Sequence, residues 1–261
     1  MVMNNYFKQI CVSGSLNYFK DFFKKKWDLV DYTNVNEPAI FFGLYNSHEM
    51  QRFVNHKGKK MIIWGGADQH ISKFNSVKNL PNFVGSPAYR PPMVNTFKKI
   101  GYPYKEIILP FKDYSNLETT PLGDKIYVYK GLNGNRKHHY KWDEIVNPLI
   151  NYFGKDRVIY SQNQKMDYII NKLYNKSFIY VKPNELGGST TMWELAHMGR
   201  KTISKNQGNL PNVINFTDLK SIIDIIKNEE NKIGTIQKEV ADETKKCMVN
   251  NKDWLNIEWW K

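Results

Sequence analysis

Short apolar runs alternate with amphipathic stretches of helical length over nearly the whole chain. Runs at 7–12, 28–33, 39–45, 60–65, 83–86 and 106–111 are rich in Ile, Val, Phe and Tyr and predict strands. A second series follows at 125–131, 157–161, 177–181, 201–204 and 212–216. Between the runs, segments 15–26, 47–56, 87–100, 141–153, 163–174, 189–199 and 217–229 predict helices. The strand runs are apolar throughout rather than alternating with polar positions. Such strands, each followed by a helix, indicate parallel sheets covered on both faces.

The polar, turn-rich stretch 113–125 separates the two series and reads as an interdomain linker. Each side holds five or six strands, enough for one doubly wound domain. The expectation is a Rossmann-like domain at 1–115, a second at 124–240, and a helical segment at 241–261 returning to the first. Ile233, Ile236, Val240 and Cys247 keep helical spacing ahead of Trp254, Trp259 and Trp260.

Composition narrows the class. The 261 residues include 38 Lys and Arg against 25 Asp and Glu, a net charge of +13, with 41% hydrophobic residues. A core is therefore affordable, and polyanions, phosphates or an anionic membrane surface are favoured partners. The longest basic run is only Lys24-Lys25-Lys26, so most of the charge is expected on solvated faces. Cys11 and Cys247 match no metal or redox spacing and suggest a reducing compartment. No signal-like or membrane-spanning run occurs, which predicts a soluble, cytoplasmic protein.

Candidate chemistry concentrates in three stretches. In YVKPNELGGSTTMWELAHMGRKTI, residues 180–203, Gly187 and Gly188 let backbone approach an anion where a helix begins. Ser189, Thr190 and Thr191 add hydroxyls. Glu194, off the stripe of Met192, Leu195, Ala196 and Gly199, is placed for a ribose diol. In 125–142, Gly131 and Gly134 flank a basic loop carrying Arg136 and Lys137, with Lys141 close behind. In 61–70, a buried strand breaks at Gly65-Gly66, and Asp68 and His70 form a candidate acid/base pair.

The run Glu194-Leu195-Ala196-His197-Met198-Gly199-Arg200-Lys201-Thr202-Ile203 resembles the donor-site signature of glycosyltransferases with the GT-B fold. So do the strand–helix order, the segment around Trp64-Gly65 and Asp68, and the run ending Leu109-Pro110-Phe111. Departures exist: Glu185 and Glu194 stand one residue further apart than the family's glutamate pair, and Lys201 replaces its proline. Cys11-Val12-Ser13-Gly14-Ser15 is the nearest match to its first-domain glycine loop.

The resemblance implies two Rossmann-like domains facing across a cleft, with the last helix packing back on the first. It implies glycosyl transfer from a UDP- or GDP-sugar to a glycan or other hydroxyl acceptor, in glycan biosynthesis. The donor would sit at Glu185, Gly187–Thr191 and Glu194. Cations from Gly131–Lys137 would meet the leaving diphosphate, and Asp68 or His70 the acceptor proton. No cofactor or metal is expected, since the sequence has no D-x-D. A nucleotide-sugar epimerase of the same fold, or a non-catalytic nucleotide- or nucleic-acid-binding module, is the alternative. Nucleic acid is not the expected partner, because most aromatics lie in strand runs.

Overall fold

The computed structural model describes residues 5–66, 68–88, 90–130, 140–162, 164–184, 190–205 and 210–261. The chain divides into two compact units: Met1–Asp113 with Met248–Lys261, and Tyr114–Cys247.

Unit 1 holds a parallel six-stranded sheet in the order β2-β1-β3-β4-β5-β6. Its strands are β1 (Gln9–Val12), β2 (Val30–Asp31), β3 (Ala39–Phe42), β4 (Lys60–Ile63), β5 (Phe83–Ala88) and β6 (Tyr104–Glu106). β3 and β4 are buried at every position, as continuous apolar runs require. Alternate residues supply two cores. Ile10, Ile40, Phe42, Met61 and Ile63 meet Phe23 and Trp27 of α1 (Lys20–Trp27). Ala39, Phe41 and Ile62 meet Phe53 of α2 (Ser47–Asn55), Phe74 of α3 (Ile71–Val77) and Phe97 of α4 (Pro91–Ile100). Full burial of each such Phe or Ile stabilises by about 1.5–3 kcal/mol.

Two elements differ from the sequence expectation. Of the run 106–111, only Glu106 belongs to a strand, and residues 108–110 are buried without being one. β6 ends at Glu106, Ile108 makes only an isolated bridge to Met248, and Leu109 is 2% exposed in the core. Hydrophobicity there reports burial rather than pairing. α3 has no predicted counterpart, because a seven-residue helix shows its inward face only through Phe74 and Val77.

Unit 2 holds a parallel five-stranded sheet, β11-β10-β9-β7-β8. The strands are β7 (Lys125–Tyr129), β8 (Val158–Ser161), β9 (Ser177–Val181), β10 (Lys201–Ser204) and β11 (Val213–Asn215). The helices are α5 (Asn147–Phe153), α6 (Met166–Tyr168), α7 (Thr190–His197), α8 (Leu219–Glu229) and α9 (Lys238–Cys247). α5 is entered through a π-helical turn at Trp142–Val146, and α6 continues as another at Ile169–Tyr174.

The stretch read as a linker is tied into unit 2. Tyr114, Leu117 and Leu122 are buried. The Arg200 guanidinium donates to the carbonyls of Thr120 (3.0 Å), Pro121 (2.8 Å), Ser177 (3.3 Å) and Met198. Gly123 is required: a Cβ there would stand 2.0 Å from the Lys176 carbonyl oxygen. A polar sequence need not be a loose one when a buried cation collects its carbonyls.

The C-terminal segment is not one helix. α9 ends at Cys247 within unit 2, and Met248–Lys261 belongs to unit 1 as short 3₁₀ turns. There, Phe7 N–H donates to the Leu255 carbonyl (2.9 Å), Trp254 meets Trp27 edge-on at 5.2 Å, and Trp260 Nε1 donates to the Trp254 carbonyl (2.7 Å). Trp254 and Trp260 are buried, and Trp259 is exposed.

Arg200 is fully buried, and that burial lowers its pKa to about 10. Replacing it with Met keeps volume but leaves four carbonyls without their donor. Arg200→Met should lower stability by about 3 kcal/mol. Denaturant unfolding checks this: an unchanged midpoint would mean the carbonyls find other partners.

Candidate active site

In unit 2, β9 carries its chain toward α7 with every residue from Ser177 to Asn184 buried. α7 is buried on all sides rather than along one stripe: Met192, Trp193, Glu194, Leu195, Ala196 and His197 are all inaccessible. Glu194 is therefore no surface carboxylate. It is 4% exposed, and its Oε2 accepts from the Tyr174 hydroxyl at 2.6 Å. Thr191, in the first turn of α7, bonds to the same Tyr174 oxygen. Tyr174 packs edge-on against Tyr127 at 5.1 Å, and the Tyr127 hydroxyl bonds Ser161 Oγ at 2.5 Å. Burial, then the Glu194 charge, pushes the Tyr174 hydroxyl well above its ordinary pKa, so it acts as a neutral donor.

Thr190 and Thr191 are half-buried at the start of α7. The other expected donor residues, Glu185, Gly187, Gly188 and Ser189, lie outside the described residues, as do Gly131, Arg136 and Lys137. Tyr174 and Lys182 were not anticipated. Lys182 is 2% exposed at the end of β9 and donates to the Asn184 carbonyl at 2.8 Å. A lysine closing a buried strand ahead of Pro183 was the available signal.

In unit 1, Asp68 and His70 follow β4 but differ in environment. Asp68 is 1% exposed; its Oδ2 accepts Leu44 N–H and its Oδ1 accepts Gly65 N–H, both at 2.9 Å. Burial raises its pKa, although those amides oppose the shift. Its carboxylate thus ties the end of β3 to the end of β4. His70 is exposed and precedes α3, its N–H bonded to the Asp68 carbonyl at 3.0 Å.

A second carboxylate, unanticipated from sequence, organises the neighbouring loops. Glu49 Oε1 accepts from Ser13 Oγ (2.6 Å) and Gly14 N–H (3.3 Å), and Oε2 from Tyr45 N–H (2.7 Å) and Asn46 N–H (3.3 Å). With Asn46 it completes a capping box on α2. The spacing Asn46-x-x-Glu49 was the legible signal. Gly43, at φ +82°, brings this turn under Tyr45 and Leu16.

Among the described residues, no three His, Cys, Asp or Glu side chains come together as a metal site, and no helix is long and apolar enough to cross a membrane.

Two doubly wound parallel sheets with loops at the strand carboxyl ends define the class as Rossmann-like α/β. Solved structures place the fold further. The chain shares the fold of GT-B glycosyltransferases. It is similar to sucrose-phosphate synthase from Thermosynechococcus elongatus, with a TM-score of 0.58 at 10% identity, over 94% of this chain and 75% of that one. It is similar to S. aureus TarM, in a variant solved with fondaparinux, alpha-GlcNAc-glycerol and UDP, with a TM-score of 0.54 at 10% identity over 95% of this chain. This chain spans 58% of that TarM chain. The DNA-modifying enzyme beta-glucosyltransferase, solved with and without uridine diphosphoglucose, matches with a TM-score of 0.50 at 10% identity, over 97% of this chain and 96% of that one. No family model and no curated sequence matches the chain.

Burial raises the Glu49 pKa, but Ser13 and the Tyr45, Asn46 and Gly14 amides outweigh it, so its folded pKa is lowered. A lowered carboxyl pKa contributes stability above its unfolded value, lost as pH falls through the folded one. Glu49→Gln should cost about 1–2 kcal/mol at pH 7, shrinking toward zero below about pH 4. Thermal melts of both proteins from pH 7 to pH 3 measure it; a pH-independent gap would assign the effect to packing.

Proposed function

We propose that this chain is a glycosyltransferase moving a sugar from a nucleotide-sugar donor to an acceptor hydroxyl, without a metal. The observation that carries the reading is Glu194, a buried carboxylate one turn into α7 at the carboxyl side of β9, pre-oriented by Tyr174. Carboxyl ends of parallel strands are where such sheets hold ligands. A carboxylate fixed there accepts from a ribose diol at little ordering cost. Two of the similar proteins were solved with UDP or a UDP-sugar, which supports a UDP-sugar over a GDP-sugar.

Unit 2 then holds the donor at Gly187–Thr191 and Glu194, and unit 1 the acceptor. The acceptor oxygen bonds to the anomeric carbon as the bond from that carbon to the diphosphate oxygen breaks, and the nucleoside diphosphate leaves with the electron pair. Its developing charge is met by Arg136 and Lys137 and by amides at the start of α7. The acceptor proton goes to His70, which solvent reaches. Asp68, buried and hydrogen-bonded through both oxygens, positions the loop that carries His70. Metal independence rests on the absence of D-x-D from the sequence. Cys11 and Cys247 are free thiols, in keeping with a reducing, cytoplasmic setting.

Glu194→Gln should weaken UDP and UDP-sugar alike, by about 10–150-fold, since a hydrogen bond to a charged group is worth about 1.5–3 kcal/mol. Calorimetric titration reads this, and a lower melting temperature with unchanged affinity would make Glu194 structural.

His70→Ala should lower single-turnover transfer by about 10²–10⁴-fold with donor affinity kept. Wild-type transfer should persist in EDTA. Activity lost in EDTA and restored by manganese or magnesium would overturn the metal-free mechanism, and full activity in His70→Ala would move the base elsewhere.

A further inference from the structure

Unit 1 contains a crevice of about 390 Å³ at the carboxyl ends of β1 and β3. Its position follows from the topology. β1 pairs with β2 on one side and β3 on the other, so the winding direction reverses between β1 and β3. α1 packs on one face of the sheet and α2 on the other. The helices part at the reversal and leave a gap, the usual place for a ligand in an open α/β sheet. The volume falls within the range of small-molecule sites, about 300–1,000 Å³.

The lining has an uneven charge balance. Cys11, Ser13, His48, Glu49 and Arg52 all face the crevice. Glu49 is consumed by the protein itself, its two oxygens taking four donors from Ser13, Gly14, Tyr45 and Asn46. Arg52 is not neutralised: Nη2 meets His48 Nε2 at 2.9 Å, and Nη1 donates to Cys11 Sγ at 3.6 Å. Neither partner is a carboxylate. An arginine carries five N–H donors, so most of its fork is open to a ligand. Among the described residues, the crevice thus offers a cation whose neighbouring carboxylate, Glu49, is already saturated.

We propose that this crevice binds an anionic group, phosphate or carboxylate, on the acceptor, with Arg52 as the principal contact and His48 beside it. The word acceptor rests on the transferase reading; the anion site does not. Arg52 and a phosphate or carboxylate match in geometry as a bidentate pair. Selection would follow: a substrate bearing the anion is retained near the His70 loop, and a neutral analogue is not.

The test uses inorganic phosphate and acetate as probes, on full-length protein saturated with UDP so that the donor site is occupied. Phosphate binding is read by ³¹P line broadening and acetate binding by proton line broadening. In a Cys247→Ser background, iodoacetamide labelling of Cys11 reports locally on the crevice. Wild type should bind phosphate, acetate or both, and the bound anion should slow Cys11 labelling. Arg52→Gln should weaken that binding at least ten-fold and abolish the protection, with UDP affinity unchanged. Arg52→Lys should keep part of it, as a point charge without the fork. Whichever anion binds more tightly names the group. Equal anion affinity in wild type and Arg52→Gln, or labelling indifferent to both anions, overturns the site. Failure of UDP to bind while Arg52-dependent anion binding persists would instead remove the transferase reading.

Discussion

A parallel sheet leaves backbone amides without a strand partner at the carboxyl ends of its strands, and those amides must be met. In unit 1 two carboxylates do this. Asp68 gathers Leu44 and Gly65, holding the end of β3 against the end of β4. Glu49 gathers Gly14, Tyr45 and Asn46 and adds the Ser13 hydroxyl, holding the β1 loop to the α2 cap. The ends of three adjacent strands are thereby fixed relative to each other. His70 and Arg52, the exposed groups given chemical roles here, hang from that frame.

Carbonyls pose the opposite problem, and buried cations solve it. Lys60 is 1% exposed, and its ammonium donates to the carbonyls of Phe53 (3.1 Å), Val54 (3.2 Å) and His56 (2.8 Å), closing the end of α2. Arg200 does the same for the segment ahead of β7. Burial lowers the pKa of both. Part of the +13 charge is therefore internal scaffolding rather than a solvated face. That changes what the composition means: the charge available to partners is smaller than the count, and its placement matters more. Arg52 qualifies because its position is open and, among the described residues, its side-chain partners are His48 and Cys11 rather than a carboxylate.

Much of the fold was legible because continuous apolar runs and helical periodicity are local signals. The strands at 177–181 and 201–204 coincide with β9 and β10, and 47–56 with α2 to within a residue. What failed was nonlocal. The tail at 248–261 was expected as a helix returning to the first domain; it does belong to unit 1, but as short 3₁₀ turns held by Trp254 and Trp260 against distant residues, a packing with no helical periodicity. The stretch 113–125 looked loose because Arg200, its anchor, is about 80 residues away. Motif residues were visible as residue types, and Glu49 could have been read from its capping-box spacing, whereas Tyr174, the partner of Glu194, became visible only once folding brought it alongside.

Tyr174 also bears on how Glu194 could serve a ligand. A carboxylate alone in a closed interior would be costly to keep ionised. Here the Tyr174 hydroxyl donates to Oε2, and Thr191, in the first turn of α7, bonds in turn to the Tyr174 oxygen. Tyr174 is in turn wedged against Tyr127, which packs near Tyr180 of β9 at 5.4 Å. The rotamer of Glu194 is thus set by β7, β9 and the π-helical turn before anything binds. A ligand hydroxyl arriving there meets an acceptor already aimed, and the ordering entropy that weakens flexible sites is spent during folding instead. The same packing explains why the helix carrying Glu194 is buried on every side from Met192 to His197: in a site built this way, rigidity of the surrounding core sets the direction of one carboxylate.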